Sequence, residues 1–182
     1  GVYLENIALT KAIALDKTGT LTIGKPSVEK IVTVNHITEK EALTISAGIE
    51  SLSEHPLAHA ITERAKQEEI RIPQASDFKA VPGLGASALI DGKVYFIGSH
   101  RFFEHKGLCS DEIHNLALKM ESEGSTTVML GDENKPLAVI AVSDKPREEA
   151  AAAVHELKKE GIKEIVMLTG DNEGTAKAIG EK

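Results

Sequence analysis

Asp16-Lys17-Thr18-Gly19-Thr20-Leu21-Thr22 is the stretch of this chain richest in chemistry. It follows an apolar run, Ala12-Ile13-Ala14-Leu15, that reads as a short buried strand. A strand that ends in aspartate and breaks at a glycine delivers its carboxylate to the C-terminal edge of a sheet, where open α/β folds bind ligands. A carboxylate there can attack a phosphorus atom and become an aspartyl-phosphate. A second run, Ile165-Val166-Met167-Leu168, ends in Thr169-Gly170-Asp171. It delivers a hydroxyl and a free backbone N–H to the same kind of edge, where they can hold phosphate oxygens.

Other candidates lie between these two. Glu50-Ser51-Leu52-Ser53-Glu54-His55-Pro56-Leu57-Ala58 offers carboxylates and an imidazole, and His55, taken alone before a proline, reads as a capping or surface histidine. Gly83-Leu84-Gly85 permits close approach to backbone, and Gly98 closes a β-rich run, Phe96-Ile97-Gly98-Ser99. No GxxxxGK[ST] occurs, and Gly83-Leu84-Gly85 is followed by strand-like residues rather than a helix, which excludes Walker and dinucleotide sites. His36, His59, His100, His105, His114 and His155 show no metal-ligand spacing and read as ordinary surface or helix residues. Cys109, the single cysteine, reads as incidental, cannot form an internal disulfide and fits a reducing compartment.

Elements that could position these groups follow from pattern. Thr38 with Glu41 makes a capping box before Ala42, Leu43, Ile45, Ser46 and Ile49. Pro56 suits the first position of a second helix. Short β-rich runs at 78–81, 86–90 and 93–97 follow, the last two joined by Asp91-Gly92, a hairpin signal. A helix is expected over 111–123, with Ser110 as its cap, then strands at 126–130 and 137–142, a helix over 147–160 and a strand over 164–168. The alternation near both ends implies a parallel sheet, and the middle implies an antiparallel insertion.

Among 182 residues, 41% are hydrophobic and 3% aromatic, so any core is built from aliphatic side chains. The net charge of −7 and the lack of a basic face argue against nucleic acid as a partner. No apolar run is long enough to span a bilayer, and no signal peptide is evident.

The DKTGTLT string resembles the phosphorylation motif of the P-type ATPases, and Thr169-Gly170-Asp171 resembles the TGD motif of those pumps and of the wider haloacid-dehalogenase-like fold. The SEHPLA stretch, Ser53 to Ala58, and the Gly-x-Gly loop resemble their heavy-metal-transporting branch. The resemblance runs through the whole chain in order. It implies an incomplete haloacid-dehalogenase-like α/β parallel sheet, residues 1–25 and 138–182, carrying an inserted α+β antiparallel-sheet nucleotide-binding domain, residues 26–137. It implies that Asp16 is phosphorylated, that Lys17 neutralises incoming phosphate, that Asp16 and Thr18 contact Mg²⁺, and that Thr169, Gly170 and Asp171 complete the phosphate site. It places ATP on Glu50, His55, Gly83, Gly85 and Gly98; Ser99 stands where the family often has asparagine.

The implied setting is the cytoplasmic face of a membrane, as an excised piece of a pump. Its partners would be ATP, the pump's own membrane and actuator domains, and a transported metal cation held elsewhere in the pump. Gly1-Val2-Tyr3-Leu4-Glu5 is closer to zinc, cadmium and cobalt pumps than to copper ones. The family's later lysine and GDGxNDxP motif are absent, so poor turnover is expected of this piece. The alternative is a soluble haloacid-dehalogenase-type phosphatase. Such enzymes generally carry a second aspartate two positions after the nucleophile; Thr18 stands there, and a hydroxyl cannot serve as that acid and base at neutral pH.

Overall fold

The computed structural model describes residues 9–170 and 173–181. Strand β1 (Ala12–Asp16) enters a wide turn, Lys17–Leu21, closed by the Thr22 N–H donating to the Lys17 carbonyl. Strand β2 (Ser27–Thr33) precedes two helices, α1 (Glu39–Glu50) and α2 (Pro56–Gln67). Strands β3 (Ser76–Val81), β4 (Gly85–Ile90) and β5 (Lys93–Gly98) come next, then helices α3 (His100–His105) and α4 (Asp111–Ser122). Strands β6 (Thr126–Asp132) and β7 (Pro136–Ser143), helix α5 (Ala150–Lys159), strand β8 (Glu164–Leu168) and helix α6 (Glu173–Gly180) complete the order.

The local signals act as their chemistry dictates. The Thr38 hydroxyl accepts from Glu41 N while the Glu41 carboxylate accepts from Thr38 N at 2.8 Å, so both partners of the box are present. Asp91 and Gly92 both take positive φ, +48° and +76°, the tight turn that matches strand twist between β4 and β5.

Six antiparallel strands lie in the order β2-β7-β6-β5-β4-β3. Alternate residues of β6 and β7 serve two cores. Val128, Leu130, Ala138, Ile140 and Val142 join Leu43, Ile49 and Ile61 of α1 and α2. Met129, Val139 and Ala141 join Phe102, Phe103, Ile113 and Met120 of α3 and α4. Burial on both faces makes β7 a continuous apolar run, the pattern common in parallel sheets. The expected division places 138 onward in the parallel part; in the structure the whole of Pro136–Ser143 belongs to the antiparallel sheet.

Among the described residues, the second sheet holds β1 and β8, parallel, with Asp16 opposite Leu168. Neither strand is fully buried, contrary to the sequence expectation: exposure alternates along both, and Val166 and Leu168 are exposed. A two-stranded sheet has too few neighbours to cover both faces. Helix α5 starts at Ala150 rather than 147, and a groove of about 480 Å³ lies among β1, β8, α5 and the end of α6. Helix α6 packs against α4, and the buried Thr175 hydroxyl donates to Ser125 O at 2.8 Å. No helix among the described residues is long and apolar enough to cross a membrane.

The chain passes between the sheets twice, and one buried carboxylate joins the two passages. Asp144 accepts from the Thr22 hydroxyl at 2.5 Å, from Gly24 N at 3.0 Å and from Lys25 N at 3.1 Å. Beside it, Ile23 N donates to Lys145 O, Arg147 N to Leu21 O, and the Arg147 guanidinium to Gly19 O at 3.0 Å. The Asp16 loop is therefore shaped by residues more than 120 positions away.

Two substitutions test this framework. Asp144→Ala removes the acceptor of the Gly24 and Lys25 N–H groups and leaves the Thr22 hydroxyl only the Lys17 carbonyl, and it should lower unfolding free energy by about 1–3 kcal/mol; a urea midpoint equal to the parent's would remove the carboxylate from this role. Gly98→Ala should also unfold early, by roughly 2–3 kcal/mol, since a Cβ at Gly98 would sit 2.4 Å from Leu84 O and 2.8 Å from Gly85 Cα.

Candidate functional site

Two sites emerge, one at the edge of each sheet. At the parallel edge, β1 stops at the exposed Asp16 and β8 stops in register with it, so Thr169 and Gly170 leave the same edge beside Lys17 and Thr18. Thr18 is exposed and Thr169 half-buried. Lys17 is buried at 7% exposure rather than presented to solvent. Gly19 takes φ +79° inside the wide turn, a conformation that a side chain would strain, and its N–H is held by the Thr22 hydroxyl at 3.3 Å. Asp171 lies outside the described residues.

The second site is a cleft of about 330 Å³ at the other sheet. Its walls gather all five residues expected to hold a nucleotide: Glu50 from the end of α1, His55 from the start of α2, Gly83 and Gly85 from the β3–β4 turn, and Gly98 from the end of β5. Gly85 pairs directly with Gly98, and a Cβ on Gly85 would lie 2.2 Å from Ile97 O. The two glycines thus let β4 and β5 approach closely in the wall of the cleft, where a side chain on either would strike the facing backbone and Phe102. His55 caps α2: its Nδ1 accepts from Leu57 N at 3.2 Å. In the neutral ring the proton then sits on Nε2, which is a donor. Burial pushes the Glu50 carboxyl up to about 6, against a hydrogen bond from Ser53 that lowers it. Ser99 adds a buried hydroxyl without a hydrogen-bond partner to the same lining. Among the described residues, none from the phosphate edge lines this cleft, so the two sites are separate.

Sequence reasoning missed three features. Asp144 and Arg147 carry no motif of their own, and only their partners across the chain reveal them. Helix α3 was overlooked because six residues hold too few turns to show a period. His100, Cys109 and His114, read as unclustered, are brought together instead. His100 Nε2 lies 3.0 Å from Cys109 Sγ and 2.9 Å from His114 Nδ1. Their separations of nine and five residues match no familiar ligand spacing, and folding of α3 onto α4 closes the gap. Burial, with Glu104 and Asp111 nearby, pushes the Cys109 thiol up.

A model of the haloacid dehalogenase-like hydrolases matches residues 10–182. A probable cadmium-transporting ATPase of Alkalihalophilus pseudofirmus is 42% identical over 186 residues, covering 99% of this chain and 26% of that protein. Among solved structures, a zinc-transporting PIB-type ATPase in its E2.Pi state aligns with TM-score 0.74 and 37% identity, over 94% of this chain and 28% of that one. The catalytic CPx-ATPase domain CopB-B aligns with TM-score 0.69 and 26% identity, over 100% of this chain and 61% of that one. The chain thus spans about a quarter of the length of the curated relatives it matches. With an aspartate-ended strand, a partner strand in register and an inserted antiparallel sheet, the chain belongs to the haloacid dehalogenase-like hydrolase family and is similar throughout its length to heavy-metal P-type ATPases.

Proposed function

We propose that this chain is the ATP-binding and aspartyl-phosphorylation region of a heavy-metal cation-transporting P-type ATPase, at the cytoplasmic face of a membrane. The observation that carries the reading is the register of β1 on β8, which sets Asp16 and Thr169-Gly170 at one edge. A carboxylate oxygen of Asp16 forms a bond to the γ-phosphorus as the bond to the bridging β–γ oxygen breaks, and ADP departs. Thr169 and Gly170 supply donors to the phosphoryl oxygens, and Asp171 and Lys17 complete the site. Thr18, in place of a second aspartate, supplies no general base, so the aspartyl-phosphate persists.

Exposed carboxylate and hydroxyl oxygens at Asp16 and Thr18 are the hard donors that Mg²⁺ takes, and when bound it offsets phosphate charge. The adenosine end of ATP rests in the cleft. Glu50 accepts from the exocyclic amine, the His55 Nε2–H meets the purine, and Gly83, Gly85 and Gly98 let the nucleotide reach the backbone. Since the cleft and Asp16 are separate, transfer requires the two sheets to close on each other. The transported metal and the rest of the pump are partners on the same reading.

ATP titration followed by amide shifts tests the cleft. Shifts should centre on Glu50, His55, Gly83 and Gly85 and weaken in His55→Ala; their absence from these residues rejects the site. A radiolabel chase in an intact pump carrying this region should leave phosphate on Asp16 and lose it in Asp16→Asn. Label retained by the variant removes Asp16 from the role.

Glu50 gives a pH signature. Its folded-state value, about 6, exceeds its ordinary 4.5, so folding favours the protonated form. Its contribution to stability is full below about 4.5 and is lost as pH rises to about 6. Glu50→Gln should therefore be more stable than the parent by about 1–2 kcal/mol at pH 7.5 and converge with it near pH 4. The same variant should bind ATP more weakly. Stability and affinity falling together would contradict this assignment.

A further inference from the structure

We propose that His100, Cys109 and His114 form a binding site for a borderline-soft divalent cation of the Zn²⁺ class, apart from the nucleotide cleft and the phosphate edge. The three residues offer Nε2, Sγ and Nδ1, all within 4.8 Å of one another and all half-buried. Imidazole and thiolate donors together suit Zn²⁺ and Co²⁺ rather than Mg²⁺ or Ca²⁺.

Geometry favours a shared ion over a set of hydrogen bonds. An imidazole nitrogen has one in-plane site, either an N–H or a lone pair. Here His100 Nε2 has two close partners, Cys109 Sγ at 3.0 Å and His114 Nδ1 at 2.9 Å, so a proton serves one well at the other's expense. A tetrahedral Zn²⁺ gives all three atoms one partner, with ligand atoms about 3.3–3.6 Å apart. Lengthening the two close contacts of His100 Nε2 by roughly half an ångström brings them to those separations. The pieces that must spread are the first residue of α3, the loop before α4 and the first turns of α4, all at the surface end of the second core.

A fourth ligand is at hand. Glu104, one turn along α3, brings Oε1 to 3.8 Å from His100 Nε2 on a side chain 49% exposed, free to swing to an ion or leave the position to water. With Asp111 at the start of α4 it also supplies negative charge that favours a cation. None of the three proposed ligands lines the nucleotide cleft, yet His100 directly follows Ser99, which does. An ion held there ties the start of α3 to the loop before α4, one residue from that cleft.

The single cysteine makes the test direct, since thiolate–metal absorption from this chain can come only from Cys109. Metal-free protein is titrated with Co²⁺, then Zn²⁺. Expected are one Co²⁺ per chain with an intense thiolate-to-cobalt charge-transfer band, displacement of that band by Zn²⁺, and a Cys109 alkylation rate at least about tenfold slower with Zn²⁺ present. His100→Ala and His114→Ala should each weaken binding by at least about tenfold. Absence of the band at saturating Co²⁺, or unchanged alkylation of the unmodified sequence with Zn²⁺, overturns the site whether or not a variant folds. A band undiminished in both histidine variants overturns the ligand assignment.

Discussion

A single buried carboxylate holds the working parts of this chain in relation to one another. Asp144 sits at the end of the last antiparallel strand and gathers a hydroxyl and two backbone N–H groups from the segment that follows the Asp16 loop. Buried acceptors of this kind matter more by what their loss leaves unpaired than by what they contribute when paired. Around Asp144, backbone hydrogen bonds from Ile23 and Arg147 make the two passages between sheets a short ladder, with Thr22 and Pro146 as its bridge. The loop beyond Asp16 has little shape of its own, since its interior includes extended Thr18 and left-handed Gly19. It takes its form from this partner segment.

One wall of the cleft rests on a different constraint, the close approach of two strands. Gly85 and Gly98 face each other with no room for a methyl group, and the backbone carbonyls of Leu84 and Ile97 occupy what would be Cβ space. The same enclosure that shapes the wall removes water from Glu50 and leaves the Ser99 hydroxyl without a partner. Desolvated polar groups in a hollow are the usual mark of ligand binding, because the ligand supplies the partner that folding withheld.

How much of this was legible depended on the range of the interaction. The Thr38–Glu41 box, Pro56 at the first turn of its helix and the Asp91-Gly92 hairpin are chemistry between near neighbours, and each appears where the sequence puts it. The cleft residues, scattered from 50 to 98, were found through short motifs that fold onto one hollow. What was hidden lies in contacts between distant residues. Nothing near Asp144 announces Thr22, and no spacing rule links His100 to His114. Strand Pro136–Ser143 falls in the antiparallel sheet although the expected division starts the parallel part at 138; its apolar run records burial on both faces and not which neighbours provide it. Strands β1 and β8 read as buried from their apolar runs, yet with each other as sheet neighbours among the described residues they expose alternate positions.

His55 has a further consequence through its hydrogen bond to the start of α2. Helix α2 needs some acceptor for its first N–H groups, and the imidazole provides one. That bond orients the ring in the free chain, ahead of the nucleotide contact proposed for it. Freezing a side chain on association ordinarily costs about 0.5–1.5 kcal/mol. If the ring meets a nucleotide as proposed, folding has already met part of that entropy loss through the helix that His55 caps.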